Sequence, residues 1–382
     1  MITSIELLQK YQPEEIGVYI HIPFCKIKCE YCDFFSITIN NDTIDTYISA
    51  LINELGNFFY HKIKIKSIYI GGGTPSLLKP TQIDRIIAHV YKSFGLSNPE
   101  ITIEVNPDDI SEIWIKEIKS IGINRVSIGV QSFSDKDLRY LGRRHDARKA
   151  MKACQIISDY FNNWSLDLIF GIPFQTQKIW EENLRTAVNL NPYHISTYNL
   201  TFEKGTPLYK NKLNEMADDD LCLELYKYAE IYLNSNAYKH YEISNFSKPG
   251  FECVHNLIYW NNKYYLGIGT GAFSFLGNIR CANYFDVEKY IEFPGIKDER
   301  DYLSNKEVKL ETLVQYFRLT EGIDENIYFQ RFSSSIIEDF GPALTNLIKK
   351  GLLEYNQGRF KPTPQGFYLN NEIGRELLNC ME

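Results

Sequence analysis

The chain has 382 residues, of which 44% are hydrophobic, and it carries a formal net charge of −7. That length suits one large domain with one or two small ones, and the apolar fraction excludes a disordered chain. The acidic balance argues against a broad nucleic-acid footprint, because neutralising phosphates needs a basic face. The N-terminal run MITSIELLQKYQPEEIG lacks the basic start and apolar core of a secretory signal, and no stretch approaches the ~18 apolar residues of a membrane span. The expected location is therefore cytoplasmic, a compartment in which eight cysteines need not pair as disulfides.

Short β-rich runs recur along the first half of the chain: 18–22 (VYIHI), 67–70 (SIYI), 101–105 (ITIEV), 125–130 (RVSIGV), 165–170 (SLDLIF) and 194–200 (HISTYNL). Segments with helical spacing lie between them. Residues 42–59 place Ile44, Tyr47, Ile48, Leu51, Leu55 and Phe58 at steps of three and four. Residues 81–94 do the same with Ile83, Ile86, Ile87 and Val90, with Thr81 as N-cap after Pro80. The segments 134–141, 146–160 and 180–190 continue the alternation. Strand–helix units repeated in this way imply parallel strands and right-handed crossovers. Six of them predict an α/β fold, an open, partial (βα)6 barrel. A doubly wound sheet fits the same periodicity.

After residue 200 the alternation ends. Residues 218–235 read as a helix, and 256–272 are aromatic and glycine-rich. From 307 onwards the pattern predicts a small helical domain with a hairpin, built from 352–355, a turn at 356–358, and 360–362. That arrangement is winged-helix-like, and the acidic charge speaks against DNA binding by it. The predicted divisions are 1–205 for the barrel, 206–300 for an extension of it, and 301–382 for the C-terminal module. Cys154, Cys222, Cys253, Cys281 and Cys380 are scattered and read as small buried hydrophobes.

The other three cysteines need their own explanation. Cys25-x3-Cys29-x2-Cys32 follows the first strand directly. Thiolates are soft ligands that suit zinc or iron–sulfur clusters. Structural zinc usually takes four ligands, and a fourth is not obvious here, with Asp33 and Phe34 next in the chain. His21 could complete a Cys3His set, but it lies in an apolar strand. Three thiolates on a 4Fe-4S cube leave one iron open. An open iron can bind the amino and carboxylate groups of S-adenosylmethionine (SAM), and an electron from the cluster can then cleave the sulfonium to methionine and a 5′-deoxyadenosyl radical.

In a βα barrel the loops after the strands build the site. Strand two runs into Gly71-Gly72-Gly73-Thr74-Pro75, where glycines admit close backbone approach and their amides can meet the amino-acid end of SAM. Strand three ends in Glu104-Val105-Asn106-Pro107, strand four in Gln131-Ser132-Phe133, and strand five carries Asp167. Carboxylates within apolar strands are costly unless partnered. Glu104 and Asp167 are read either as salt-bridged within the barrel or as contacts to the ammonium or ribose of SAM.

With these residues in view, the runs YIHIPFC, CEYCDF, GGGTPS, IEVNP, RVSIGVQSF, LGRRH, DLIFGIPFQT and YEISNF resemble the coproporphyrinogen-oxidase-like branch of radical SAM proteins, along nearly the whole chain. The resemblance implies a radical SAM barrel in which Tyr19, Gly72, Gly73, Thr74, Glu104, Gln131, Arg143, Asp167 and Thr201 contact SAM. By the same resemblance Tyr31 would pack on its adenine side. A fixed guanidinium at Arg143 can hold a carboxylate. That branch includes oxygen-independent coproporphyrinogen III oxidases and radical SAM heme chaperones. Phe34 stands where the oxidase pattern has a further cysteine, the segment before the cluster is short, and His255-Asn256-Leu257-Ile258-Tyr259-Trp260 matches the chaperones' HNxxYW motif.

The resemblance therefore implies a chaperone that binds heme and delivers it to recipients such as respiratory cytochromes. It would touch membrane proteins only peripherally and would not act as the oxidase. The alternatives are oxidative decarboxylation of coproporphyrinogen III and radical chemistry on an unrelated substrate. His255 is the expected axial heme ligand, a role imidazole commonly plays. Its bland reading is a hydrogen-bonded core histidine. Tyr259 and Trp260 offer flat apolar surface for a macrocycle. Phe273 stands where the family often has a histidine, which leaves a second axial ligand open, and Cys253 is an alternative thiolate.

Overall fold

A computed structural model describes residues 2–39, 41–56, 62–95 and 98–380. Six parallel strands form its centre: β1 (Glu15–Ile22), β2 (Lys64–Gly72), β3 (Glu100–Val105), β4 (Arg125–Gln131), β5 (Trp164–Phe170) and β6 (His194–Asn199). They lie side by side in chain order. The helices Asn41–Gly56, Pro80–Phe94, Glu112–Ile121, Ala147–Tyr160 and Gln177–Leu190 carry the crossovers between them. The chain is thus an α/β protein with the expected strand–helix alternation. Phe58 and Phe59, at the expected end of the first crossover helix, lie outside the described residues.

Two local readings change. Thr81 does not cap the second crossover helix. Lys79 is the N-cap, its backbone N–H donating to Gln82 Oε1 at 2.8 Å, and Pro80 opens the helix where its missing N–H costs nothing. The helix Glu112–Ile121 was not anticipated. The Ser111 hydroxyl accepts from Trp114 N at its start, and Gly122 closes it at a φ of 107°.

The strands alternate strictly, and this organises the molecule. On one face Val18, Ile20, Ile68, Ile70, Ile103, Val126, Ile128, Leu166 and Leu168 are all buried, and they form one apolar core with the crossover helices. At alternate positions the other face carries Tyr19 and His21, Tyr69, Glu104, Ser127, Ser165 and Asp167, and His194 and Ser196. That face lines the lumen, so a polar stripe persists inside a sheet covered by helices.

Both edges extend the sheet to thirteen strands. Beside β6 lie β7 (Lys239–Glu242) and β8 (Asn245–Ser247), antiparallel. On the other side β9 (Tyr265–Ile268) pairs in parallel with β1, followed by β10 (Phe273–Leu276), β11 (Ile279–Asn283) and β12 (Ile296–Tyr302), antiparallel, and the short N-terminal strand Ile2–Thr3 pairs antiparallel with β12 as the thirteenth. A buried ion pair pins this edge. Lys297 Nζ lies 3.6 Å from Glu54 Oε1, both side chains fully buried. Glu54 also accepts from Ser4 Oγ, Tyr290 OH and the Gly269 amide, while Lys297 donates to Gly267 O and Asn283 Oδ1.

A second core is built from residues between Leu310 and Leu377. The helices Asn305–Tyr316, Glu325–Phe332 and Ile336–Lys349 pack there with a small antiparallel sheet of Ile323–Asp324, Arg359–Pro362 and Leu353–Asn356, a winged-helix-like arrangement. Leu257 and Trp260 of the helix Val254–Trp260 rest against this core and join it to the barrel.

Candidate functional site

The cysteines sit at the C-terminal mouth of the barrel. Phe24–Cys25 continues from β1 and pairs with Ile37–Thr38, which closes residues 26–36 into a loop over the mouth. The glycine run fixes that loop from beneath. Gly73 N donates to Ile22 O at 2.7 Å and Thr74 N to Phe24 O at 2.9 Å. A Cβ at Gly73 would meet Phe24 O at 2.8 Å, so only glycine allows this approach. The amides expected to meet SAM are thus largely engaged inside the protein, and Gly72 N donates to Glu104 Oε2 at 3.1 Å.

A cavity of about 410 Å³ opens beneath the loop. Its lining brings together Cys25, Cys29, Cys32, Tyr31, Gly72, Gly73, Thr74, Glu104, Gln131, Arg143, Asp167 and Thr201, residues spread over most of the barrel sequence. Donors point at the sulfurs: Thr74 Oγ1 lies 3.4 Å from Cys25 Sγ, and Arg143 Nη1 lies 3.5 Å from Cys29 Sγ. Such donors suit thiolates that carry iron. Burial pushes the Cys32 thiol up to about 11, so metal loading must displace its proton. Among the described residues no three His, Cys, Asp or Glu side chains converge as on a single ion. A cubane spreads its three thiolates over separate irons and asks for no such convergence.

The SAM candidates show unmet valences on the same cavity. Gln131 Oε1 and Arg143 Nε are buried without a partner. Gln131 has a φ of 71° at a bulge between Gly129 and Gln131, a strained conformation for a non-glycine residue. Arg143 Nη2 donates to Gly129 O at 2.7 Å, which fixes its plane. Its neighbour Arg144 also lines the cavity but is committed to carboxylates, bridging Asp108 and Asp109 at 3.1 and 3.0 Å, and Lys26 of the cysteine loop reaches Asp109 at 2.7 Å. Sequence gives no means of telling these two arginines apart.

Glu104 accepts from Tyr69 OH at 2.9 Å, and burial raises its carboxyl to about 7. Asp167, also raised by burial, accepts from the hydroxyls of Ser196, Ser127 and Ser165. Among the described residues neither is salt-bridged. Sequence reasoning missed these serines, of which Ser127 and Ser196 line the same wall with Arg125 and His194. Their signal was present, as polar residues at every second position of otherwise apolar strands.

A second cavity, of about 510 Å³, lies beside the first, and Asp33 and Phe34 line both. Its walls are mostly aromatic: Tyr19, Phe34, Phe35, Tyr259, Trp260, Tyr265, Phe273 and Phe285, with His21 and Arg280. Tyr19, expected at SAM, lines this cavity and not the first. Its hydroxyl lies 3.0 Å from His21 Nδ1, and burial lowers His21 to about 4, which keeps it neutral.

Two further candidates lie away from the aromatic cavity. His255 lines neither cavity. Its Nδ1 lies 2.7 Å from Ser67 Oγ and its Nε2 2.9 Å from Tyr259 OH, and its ring stacks on Tyr69. Burial lowers it to about 3. Both nitrogens are engaged within the protein, and through Nε2 the ring orients Tyr259. Cys253 faces the first cavity, not the aromatic one, and burial holds its thiol up at about 12.

Comparison with known proteins agrees with this geometry. The Radical SAM superfamily profile matches residues 19–187, and the HemN C-terminal domain profile matches 303–369. The chain is 33% identical to the heme chaperone HemW of Lactococcus lactis, over 95% of this chain and 97% of that one. It is 34% identical to the heme chaperone HemW of Bacillus subtilis, over 94% and 97%. Among solved structures, coproporphyrinogen III oxidase (HemN) from Escherichia coli superposes with a TM-score of 0.85 over 98% of this chain and 93% of that one, at 21% identity, which speaks to the fold alone. With a cysteine-capped radical SAM barrel, a matching C-terminal module and full-length identity to these relatives, the chain belongs to the HemW family of coproporphyrinogen-oxidase-like radical SAM proteins.

Proposed function

We propose that the chain is a heme chaperone. It binds heme in the aromatic cavity and holds a 4Fe-4S cluster on Cys25, Cys29 and Cys32 with SAM beside it. It passes heme to acceptors such as respiratory cytochromes, working from the cytoplasm and touching membrane proteins only peripherally. The observation that carries this reading is the pairing of the two cavities, one ringed by cysteines and the other by aromatic rings, with Asp33 and Phe34 on the wall of both.

When bound, the cluster and SAM supply one-electron chemistry. The chain's own residues do the rest. Thr74 and Arg143 set the charge around the sulfurs. Gln131, Glu104 and Asp167 offer acceptors to the polar groups of SAM, and the Cys25–Cys32 loop covers them from solvent. In the second cavity Trp260, Tyr259 and Phe34 give a macrocycle flat contact. Arg280, held by Tyr265 OH and Glu311, is the cation in that lining and suits a propionate. The volume falls within the roughly 300–1,000 Å³ usual for ligand sites.

The test is anaerobic reconstitution followed by two separate assays, heme titration and coproporphyrinogen III turnover with SAM and reductant. A Soret band saturating near one heme per chain, with no turnover, is the expected result. Conversion to protoporphyrinogen IX without heme binding would move the assignment to the oxidase.

A further inference from the structure

Resting on the heme-binding reading, we infer that Arg280 anchors a heme propionate and that Glu311, a carboxylate of the C-terminal module, competes with that propionate for the same guanidinium. The aromatic cavity offers few charged groups to a dianionic cargo. His21 has both ring nitrogens engaged, Nδ1 with Tyr19 OH and Nε2 with Phe35 O. Asp33 stands at the rim shared with the cysteine loop, where its carboxylate would repel another. Among the lining residues Arg280 is the cation, and it lies where the edge of the sheet meets the helix Asn305–Tyr316. Gln315 of that helix lines the cavity too, one turn beyond Glu311 and so on the same helix face. The macrocycle therefore lies with its propionates towards the C-terminal module and away from Asp33.

The guanidinium is held ready for this. Its carbon lies 5.0 Å over the Phe275 ring, Nη1 donates to Tyr265 OH at 2.9 Å, and Nη2 donates to Glu311 Oε2 at 2.7 Å. Its plane is fixed before any ligand arrives, and the N–H donors not used in these two bonds remain for a carboxylate. The side chains of Arg280 and Glu311 are 27% and 30% exposed, so an incoming carboxylate can reach the pair. A propionate is the same chemical group as the one already there. It either takes the place of Glu311 on Nη2 or binds beside it against like-charge repulsion, and by both routes Glu311 opposes loading. Arg280 and Tyr265 belong to the barrel's sheet, whereas Glu311 belongs to the first helix of the C-terminal module. A shift of that helix that draws Glu311 off Arg280 strengthens the hold on heme, and by linkage bound heme weakens this contact between helix and barrel. A second tie across the seam, from Asn262 Nδ2 to Thr312 Oγ1 at 3.0 Å, does not involve Arg280 and keeps the helix seated when Glu311 lets go. The module is thereby a latch on the cargo.

The experiment uses the full chain with its cluster reconstituted, titrated in one detergent buffer with hemin and, separately, with hemin dimethyl ester, whose propionates carry no charge. Soret difference spectra read the affinity. Wild-type protein should bind hemin about tenfold or more tightly than the diester. Arg280→Gln should lose about tenfold or more in hemin affinity while diester affinity stays within about twofold. Glu311→Gln should bind hemin about three- to tenfold more tightly and leave the diester unmoved, the opposite of what loss of a merely structural ion pair would do. Circular dichroism and cluster absorbance establish that each variant is folded. Equal losses of hemin and diester in Arg280→Gln overturn the anchor, and so does equal wild-type affinity for the two forms, a comparison that stands even if Arg280→Gln does not fold. Hemin affinity unchanged or weakened in Glu311→Gln overturns the competition. All of these leave heme binding itself standing, whereas failure of wild-type protein to bind either form overturns the chaperone reading.

Discussion

Glu104 gives the sharpest quantitative expectation. Burial at the cavity wall raises its carboxyl from 4.5 to about 7, despite hydrogen bonds from Tyr69 OH and the Gly72 amide that pull the other way. At ~1.36 kcal/mol per pKa unit, the ionised carboxylate costs the ligand-free fold up to about 3 kcal/mol, an upper bound because solvent in the cavity screens part of it. The sign follows from linkage. The folded chain holds this proton more tightly than the unfolded chain, so Glu104 favours folding below the unfolded value and loses that contribution as pH rises towards 7. A cation beside it reverses the preference, and SAM carries a sulfonium. Near pH 6 SAM binding to the wild-type chain should therefore release one proton more than binding to Glu104→Gln, and its affinity relative to that variant should rise by up to about tenfold per pH unit until a plateau above pH 7. Anaerobic calorimetry on cluster-loaded protein, in buffers of differing ionisation enthalpy, counts that difference, the proton lost by the iron-binding amine being common to both chains. Equal proton release by the two chains, or affinity profiles that run parallel with pH, would refute the placement of SAM against this carboxylate.

Three other outcomes are expected. Replacing Cys25, Cys29 or Cys32 with alanine should abolish iron loading, measured as iron and sulfide per chain after anaerobic reconstitution, whereas Cys154→Ala and Cys380→Ala should load like wild type. His255→Ala should leave the Ser67 and Tyr259 hydroxyls unpaired in the interior and lower stability by about 2–3 kcal/mol in denaturant melts. Glu54→Ala should strand the buried Lys297 ammonium, cost about 3–5 kcal/mol, and loosen the edge that carries Phe273, read as faster amide exchange across β9 and β10.

The barrel was legible because its strands and crossover helices announce themselves by period: apolar alternation in 125–130 and 165–170, three-and-four spacing in 81–94. The helix Glu112–Ile121 was legible in the same way, since Trp114, Ile115 and Ile118 share a face behind Ser111, but its short length between two strong strands hid it. The thirteen-stranded sheet was not legible. Its outer strands are two to seven residues long, and their pairings, such as β9 with β1, join segments about 250 apart in sequence, which no local pattern encodes. The cysteine cluster and most SAM candidates do converge on one cavity, because strand ends in a parallel sheet share one rim. The orientation of His255 was not legible either. A motif fixes which residue is present but not which way its ring faces, and here the imidazole turns inward to hold Tyr259 while Tyr259 and Trp260 face the cavity.

What links the two cavities is one short stretch of chain. Tyr19 and His21 point from β1 into the aromatic cavity, Cys25 to Cys32 form the rim of the other, and Phe34 and Phe35 return to the aromatic side. Any ligand that orders the cysteine loop must also set the position of Phe34, two residues beyond Cys32. Phe34 is 63% exposed, with Phe273 at 44% and Phe285 at 39% along the same cavity. Exposed aromatic rings gathered on one concave rim are unfavourable in water unless a ligand covers them. A thiol at position 34 would place a small, reactive group there and leave the macrocycle without one of its walls. The phenylalanine instead joins apolar contact for a cargo to the loop that carries the cluster, which is the coupling a protein needs if loading one site is to be felt at the other.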